Sequence, residues 1–221
     1  MNALTTTRFL RQAGRCTRGS QLQLQLRAVS TLSNNSHIFV FQDPDAPSAH
    51  LLSLLPSDPP TPSLAIGTTT KLPPTPASFT ENPKFLPILH AVMAENAASD
   101  PAVQAQAAVM ISASGTSLFQ AARRQRGDTN ASASAARGGW VHVSDGRRAP
   151  EYGRIAEPED IFGSVEVDGD GTFVDGHGRY QPSGTYRICT NDGILGLTEF
   201  MRDRLVQRLK VQESAEKNHK T

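Results

Sequence analysis

The sequence predicts an α+β fold: a small mixed or antiparallel sheet, a central helical hairpin and a C-terminal amphipathic helix. Three observations predict this class. Short apolar runs rich in β-branched and aromatic residues are bounded by Pro, Gly and Asp. Two segments between residues 82 and 115 each begin with a capping residue followed by proline, which is a start signal for a helix. After residue 196, apolar residues recur every four positions, as on the buried side of a helix.

Residues 1–29 have the composition of an organellar presequence. They contain five arginines, no Asp or Glu, and many Thr, Ser and Gln residues. Four of them, Arg8, Arg11, Arg15 and Arg18, recur every three or four positions on one helical face, so the unbroken apolar core of a secretory signal is missing. A potential that is negative inside draws each positive charge inward by about 2.3 kcal/mol per 100 mV. We therefore expect a mitochondrial matrix protein that is cut near Val29 or Ser30 in "RAVST"; the alternative is a disordered basic tail.

The charge of the remaining chain argues against a general nucleic-acid coat protein. Subtracting those five arginines from the 22 Lys and Arg residues leaves 17, against 21 Asp and Glu, for a net charge of −4. A coat protein needs a basic surplus to neutralise phosphates. Cys189 is the only thiol after residue 29, so we expect no internal disulfide and no cysteine-based metal cofactor. No run of about 18 apolar residues occurs, and we expect no membrane span.

The segment after the presequence alternates strand signals with prolines. "HIFVF" at residues 37–41 and "SLAIGTTT" from residue 63 predict strands. Between them, "SAHLLSLLP" is interpreted as a short helix that would connect the two strands as a parallel pair. The alternative is a hairpin of irregular strands, because prolines 56, 59, 60 and 62 leave little room for a helix. "KLPPTPASFTENP" then predicts a loop.

The helical hairpin is expected next. Asn82 and Asp100 are the predicted N-caps, each followed by proline, and the second helix should stop near Gly115. Residues 120–138 lose all apolar periodicity and are interpreted as a flexible insertion.

The C-terminal half reads as strands followed by a helix. "WVHV", "GSVEVD", "GTFV" and "TYRIC" predict four short strands separated by turn residues. Thr198 is the expected N-cap of the amphipathic helix that follows. Residues 214–221 are expected to be a frayed tail, which leaves residues 30–213 as a single domain.

Three patterns that suggest chemistry lack a required feature. "DGDGTFVDGHG" brings Asp168, Asp170 and Asp175 together, but it departs from the calcium-loop spacing and is interpreted as a glycine-rich turn. Ser164 lacks the final glycine of a nucleophile elbow. Cys189 stands in an alternating strand and is interpreted as a small core residue.

The candidate site lies between residues 140 and 160. His142 alternates with two valines, so it should share one sheet face with Trp140 in a hydrogen-bonded structural role. In "GRIAEPED" the proline favours a turn, across which Arg154 can pair with a carboxylate, and such charged turn residues usually point to water. We interpret this segment as a structural turn or partner-contact loop and assign no catalytic residue. The candidate partner-binding residues are Trp140, His142, Arg147, Arg154, Glu159 and Asp160.

Two blocks of the C-terminal half, "GGWVHVSDGRRAPEYGRIAEPEDIFGSVEVDGDG" and "YQPSGTYRICTNDGILGLTEFMRDRLVQRL", resemble filamentous-fungal mitochondrial proteins of unassigned function. The resemblance implies the same address as the presequence and transfers no catalytic residue.

The favoured hypothesis is a non-enzymatic mitochondrial matrix factor that binds a larger protein complex, such as the mitoribosome or a respiratory-complex assembly intermediate. One alternative is a small-molecule enzyme with His142 or Asp160 as acid–base and Arg147 or Arg154 binding an anionic substrate in one concave pocket. A weaker alternative is an RNA-binding accessory protein, whose contacts would be Arg123, Arg124, Arg126 and Arg137.

Overall fold

The structure is a computed structural model that describes residues 30–43, 46–113, 138–149 and 154–219. The presequence and residues 120–137 of the predicted insertion, with all four of its arginines, lie outside the described residues. The strands are β1 (Ser30–Thr31), β2 (Phe39–Gln42), β3 (His50–Ser53), β4 (Gly67–Thr69), β5 (Phe79–Glu81), β6 (Gly139–Ser144), β7 (Ile161–Val167), β8 (Gln181–Pro182), β9 (Cys189–Thr190) and β10 (Gly193–Ile194). The α-helices are α1 (Phe85–Asn96), α2 (Pro101–Ala113) and α3 (Glu199–His219). The predicted α+β class is confirmed.

The first sheet is an antiparallel meander in the order β1-β2-β3-β4-β5. Val40 pairs with Leu52, and Phe41 pairs with Leu51, so neighbouring residues face opposite sides of the sheet. Val40 and Leu52 join the main core, whereas Phe41 and Leu51 form a second apolar cluster. The helix and the directly paired parallel strands expected around "SAHLLSLLP" are therefore wrong, because residues 50–53 form β3 between β2 and β4. Both faces of β3 are buried, which produces a continuous apolar run without strand alternation. The alternative, a hairpin of the two predicted strands, does not form either, because each of them pairs antiparallel with β3.

Asn82 connects the start of α1 to the loop before β4. Its Oδ1 accepts the N–H of Lys84 at 3.0 Å, and its Nδ2 donates to the carbonyl of Ala65 at 2.7 Å. The regular helix begins at Phe85 with Lys84 at the N-cap position, so the prediction of Asn82 as its cap is wrong. The Asn82 side chain therefore forms hydrogen bonds with both the turn that precedes α1 and the loop before β4.

Asp100 connects the starts of the other two helices. Its Oδ1 accepts the N–H of Ala102 at 2.8 Å, which confirms the predicted cap of α2. Its Oδ2 accepts the hydroxyl of Thr198 at 2.6 Å, and that hydroxyl oxygen accepts the N–H of Met201 at 3.2 Å. Thr198 is thus the cap of α3, as predicted. In the rest of the packing, α1 contacts α3 and α2 contacts β6.

The second sheet is antiparallel in the order β6-β7-β8. The valines of β6 face the core, and the register shifts between Val143 and Ser144, where the strand ends. Of the predicted strand "GTFV", only one bridge from Phe173 to Val167 forms. The predicted strand "TYRIC" is reduced to β9, which pairs with β10.

The main core contains residues from the five-stranded sheet, from the three-stranded sheet and from all three α-helices of the described ranges. Met201, Leu205 and Leu209 supply the predicted apolar row of α3 and are fully buried. Glu213 continues this row, and the helix extends to His219, so the expected frayed tail is helical through that residue. No helix in the described ranges has both the length and the apolar character needed to cross a membrane.

Candidate functional site

The structure divides the six candidate residues between two environments. Trp140 and His142 lie on the outer face of the three-stranded sheet. The side chains of Arg147 and Asp160 are interior, with 2% and 4% of their surface exposed. The enzyme hypothesis required these groups to meet a substrate in one pocket, and this geometry does not support it. The remaining candidates, Arg154 and Glu159, are exposed.

Arg147 joins three segments of the chain through its guanidinium group. Nε donates to Oδ1 of Asp160 at 2.6 Å, and Nη1 donates to the carbonyl of Ile188 at 2.9 Å. Nη2 donates to the carbonyls of Glu159 and Arg187 at 2.8 and 2.7 Å. All three guanidinium nitrogens donate to groups of the protein, and the side chain is almost completely buried. Arg147 therefore stabilises the fold and is not positioned to bind an external anion.

Asp145 is the second carboxylate beside Arg147, and its side chain is fully buried. Its Oδ1 accepts the N–H groups of Arg147 and Gly196 at 2.9 and 2.8 Å, and its Oδ2 accepts the hydroxyl of Tyr186 at 3.0 Å. Burial raises the pKa of Asp145, while the positive charge of Arg147 and these hydrogen bonds oppose the shift. Burial also raises the pKa of Tyr186 well above its usual value, so its hydroxyl remains a donor. We call Asp145, Arg147, Asp160 and Tyr186 the arginine cluster.

Gly196 allows the backbone to approach this cluster. Its carbonyl accepts the N–H of Gly146 at 2.7 Å, and an added Cβ would overlap the Arg147 amide nitrogen and Asp145 Oδ1. Sequence reasoning missed Asp145 and Tyr186 as neighbours of Arg147, and it missed Gly196 as a donor to Asp145. The one available signal, Asp-Gly after a strand, predicts a turn but not a buried charge.

The expectation that the charged residues of "GRIAEPED" point to water holds for Glu157 and Glu159 but is wrong for Asp160. A short 3-10 helix, Pro158–Asp160, ends with this carboxylate facing inward. Its ion-pair partner is Arg147. This partner lies thirteen positions away in the sequence.

The outer face of the three-stranded sheet carries polar groups around one large aromatic side chain. His142 Nδ1 lies 2.8 Å from Ser164 Oγ, and Trp140 is paired across the strands with Glu166. The predicted common face of Trp140 and His142 is therefore confirmed. A Ser–His contact alone is not a nucleophilic site, which also needs an orienting group for the base. We call this surface the sheet face; it comprises Trp140, His142, Ser164, Glu166, Arg179 and Gln181.

The other chemical candidates have structural roles. Cys189 is buried in β9, and burial raises the pKa of its thiol. Asp168 Oδ1 accepts the N–H of Thr172 at 2.9 Å, as in a capped turn. Within the described ranges, no group of three or more His, Cys, Asp and Glu residues could hold a metal ion. Grooves of about 260 Å³ between α1 and α3, and about 460 Å³ between α2 and residues 171–176, are lined by none of the six candidates.

The chain matches no protein-family model, no curated protein and no solved structure. A functional assignment must therefore begin from the chemistry of its own residues.

Proposed function

We propose that this protein is a non-enzymatic factor of the mitochondrial matrix and binds a larger protein complex through the sheet face. The mitoribosome and respiratory-complex assembly intermediates are the candidate partners. The composition of residues 1–29 supports the mitochondrial address. The arginine cluster supports a non-catalytic role for Asp145, Arg147 and Asp160, because these charged groups hold the fold together.

The observation that carries this proposal is the exposure of Trp140. This side chain is 42% exposed, although it is the one tryptophan of the chain and is held on an ordered strand. Tryptophan is enriched among the residues that dominate binding energy at protein interfaces. Around it, His142, Glu166 and Gln181 provide hydrogen-bonding groups, which matches the apolar centre and polar rim of an interface.

The test compares Trp140→Ala with Leu72→Ala. Leu72 lies in the loop between β4 and β5 and is also 42% exposed, so it controls for loss of an exposed apolar side chain. The tagged full chain is expressed in mitochondria, and its bound proteins are recovered and quantified. The wild type and Leu72→Ala should recover the same stoichiometric complex. Trp140→Ala should weaken binding by about 2 kcal/mol or more, roughly 30-fold in Kd.

Circular dichroism and thermal unfolding of the purified variants provide the folding control. Both substitutions remove exposed apolar surface, so each should shift Tm by only a few degrees. Repeated recovery of the wild type as a lone monomer would contradict the proposal. Equal recovery of the complex by Trp140→Ala would remove the sheet face as the contact surface.

A further inference from the structure

A set of hydroxyl groups binds the loop before β4 to the C-terminal end of α3. Ser57 Oγ and Thr61 Oγ1 donate to the two carboxylate oxygens of Glu213 at 2.9 and 3.2 Å. Ser63 Oγ lies 2.9 and 2.7 Å from the two carboxylate oxygens of Glu216. Glu213 is buried, so these bonds supply hydrogen-bond donors to a carboxylate that has little contact with water. We call this group the hydroxyl–carboxylate clamp.

Thr61 belongs to a tetrapeptide that occurs twice in the chain. Pro-Pro-Thr-Pro stands at residues 59–62 and again at residues 73–76. A threonine followed directly by proline is the acceptor pattern of proline-directed protein kinases. The two copies differ in their surroundings: Thr61 donates to a carboxylate, whereas Thr75 Oγ1 lies 2.9 Å from the hydroxyl oxygen of Ser78.

We propose that Thr61 is a phosphorylation site and that its modification opens the hydroxyl–carboxylate clamp. The flanking prolines 59 and 62 are exposed, and Thr61 itself is partly exposed. In the reaction, Thr61 Oγ1 forms a bond to the γ-phosphorus of a nucleoside triphosphate. The bond from that phosphorus to the leaving oxygen breaks, the nucleoside diphosphate departs, and the hydroxyl proton passes to the base of the kinase. This inference concerns control of the C-terminal helix and is independent of the sheet face.

The charge balance of the clamp determines the effect of phosphorylation. Glu213 and Glu216 supply two negative charges, and Lys217, 3.2 Å from Glu213, supplies one positive charge. Phosphorylation adds about 1.5 to 2 negative charges at neutral pH and removes the proton that Thr61 donates. Lys217 already offsets one carboxylate and is 56% exposed, so it cannot balance the addition. Repulsion should therefore release the end of α3, while Met201, Leu205 and Leu209 keep the rest of the helix in the core.

The experiment treats the purified full chain with a proline-directed protein kinase and ATP, and locates phosphate by mass spectrometry. Hydrogen exchange is then measured on peptides from residues 210–219. Phosphate on Thr61 should accelerate exchange in this segment by about tenfold or more, since local opening sets the exchange rate. Thr61→Val should abolish the acceleration. Thr75→Val, at the other copy of the tetrapeptide, should leave it unchanged.

A variant pair tests the mechanism without the kinase. Thr61→Glu should accelerate exchange in residues 210–219, and the added change Glu213→Gln should restore slower exchange by removing one repelling charge. Phosphate on Thr75 but not on Thr61 in the native chain would overturn the site. Absence of phosphate from both threonines would also overturn it. Full phosphorylation of Thr61 with unchanged exchange would overturn the opening of the clamp.

Discussion

At the scale of single residues, Arg147 and its neighbour Arg148 should contribute very differently to the free energy of unfolding, because only Arg147 belongs to the arginine cluster. Arg147→Met keeps most of the apolar stem but removes the charge that balances Asp160. An uncompensated buried carboxylate remains, and such losses cost about 3 to 5 kcal/mol in the free energy of unfolding. Urea unfolding at neutral pH measures this cost.

The control is Arg148→Met. Arg148 pairs with Asp192 at 3.3 Å, but the two side chains are 50% and 39% exposed. Solvent screens an ion pair of this kind, which contributes about 0 to 1 kcal/mol. Equal costs for the two substitutions would contradict a structural role for the arginine cluster.

His90 gives the protein a specific dependence on pH. Its Nδ1 lies 2.9 Å from the Tyr180 hydroxyl, which donates to the carbonyl of Phe162 at 3.0 Å, so Nδ1 carries a proton and donates. Burial lowers the pKa of His90 because a second proton would place a charge in a poorly solvated site. Between the lowered pKa of the folded chain and the ordinary histidine value of 6.5, the unfolded chain therefore binds more protons than the folded chain.

This difference fixes the sign of the pH effect. The contribution of His90 to stability is fully present above the unfolded pKa of 6.5 and is lost as pH falls through the lowered folded value. Thermal unfolding between pH 8 and 5 should show a steeper loss of Tm for the wild type than for His90→Gln, which does not titrate. Parallel profiles for the two proteins would show that the pKa of His90 is not lowered in the folded chain.

At the scale of secondary-structure elements, one pair of side chains fixes the starts of α2 and α3 together. Thr198→Val removes the cap of α3 and leaves Oδ2 of the buried Asp100 without its hydroxyl donor. The two losses together should cost about 1 to 3 kcal/mol in the free energy of unfolding. Thr185→Val is the matched control, because Thr185 is exposed and its hydroxyl donates to the Pro158 carbonyl; its cost should stay within about 0.5 kcal/mol. Comparable destabilisation by both variants in chemical denaturation would count against the shared cap.

The starts of α2 and α3 were predictable from the sequence because caps act within a few residues. Asp100 with proline after it, and Thr198 before the apolar row, each satisfy N–H groups of their own helix. The strand β3 was not predictable in this way. Leu51 and Leu52 are buried on opposite faces, so the run has neither the helical period nor the strand period. Pairing with β2 on one side and with β4 on the other makes this segment a strand.

The candidate site was also predictable only where local spacing determines it. Alternation with buried valines placed Trp140 and His142 on one face, and local spacing was sufficient for that prediction. The buried Asp160 is paired with Arg147, and the neighbouring buried carboxylate, Asp145, accepts hydrogen bonds from Tyr186 and Gly196, which lie far along the chain. A charged turn and a buried ion pair have the same local composition. Only the tertiary contacts distinguish them.

At the scale of the whole molecule, the sheets and helices are joined by packing and by polar contacts. The main core contains residues from both larger sheets and from α1, α2 and α3. Glu81 of β5 accepts the N–H of Ile188 at 3.2 Å, and the Ile188 carbonyl accepts a hydrogen bond from Arg147. The first sheet is thus connected through one residue to the arginine cluster at the end of β6. A chain built in this way should unfold as one cooperative unit.

Trp140 makes this cooperativity measurable, because it is the one tryptophan of the chain and lies on β6. Its fluorescence reports the three-stranded sheet, whereas far-ultraviolet circular dichroism is dominated by the helices. In urea, the two signals should give the same midpoint, and Arg147→Met should move both midpoints downward together because the cluster belongs to the common folded unit. A fluorescence midpoint that falls below the circular dichroism midpoint, in the wild type or in Arg147→Met alone, would show that the three-stranded sheet unfolds independently of the helices.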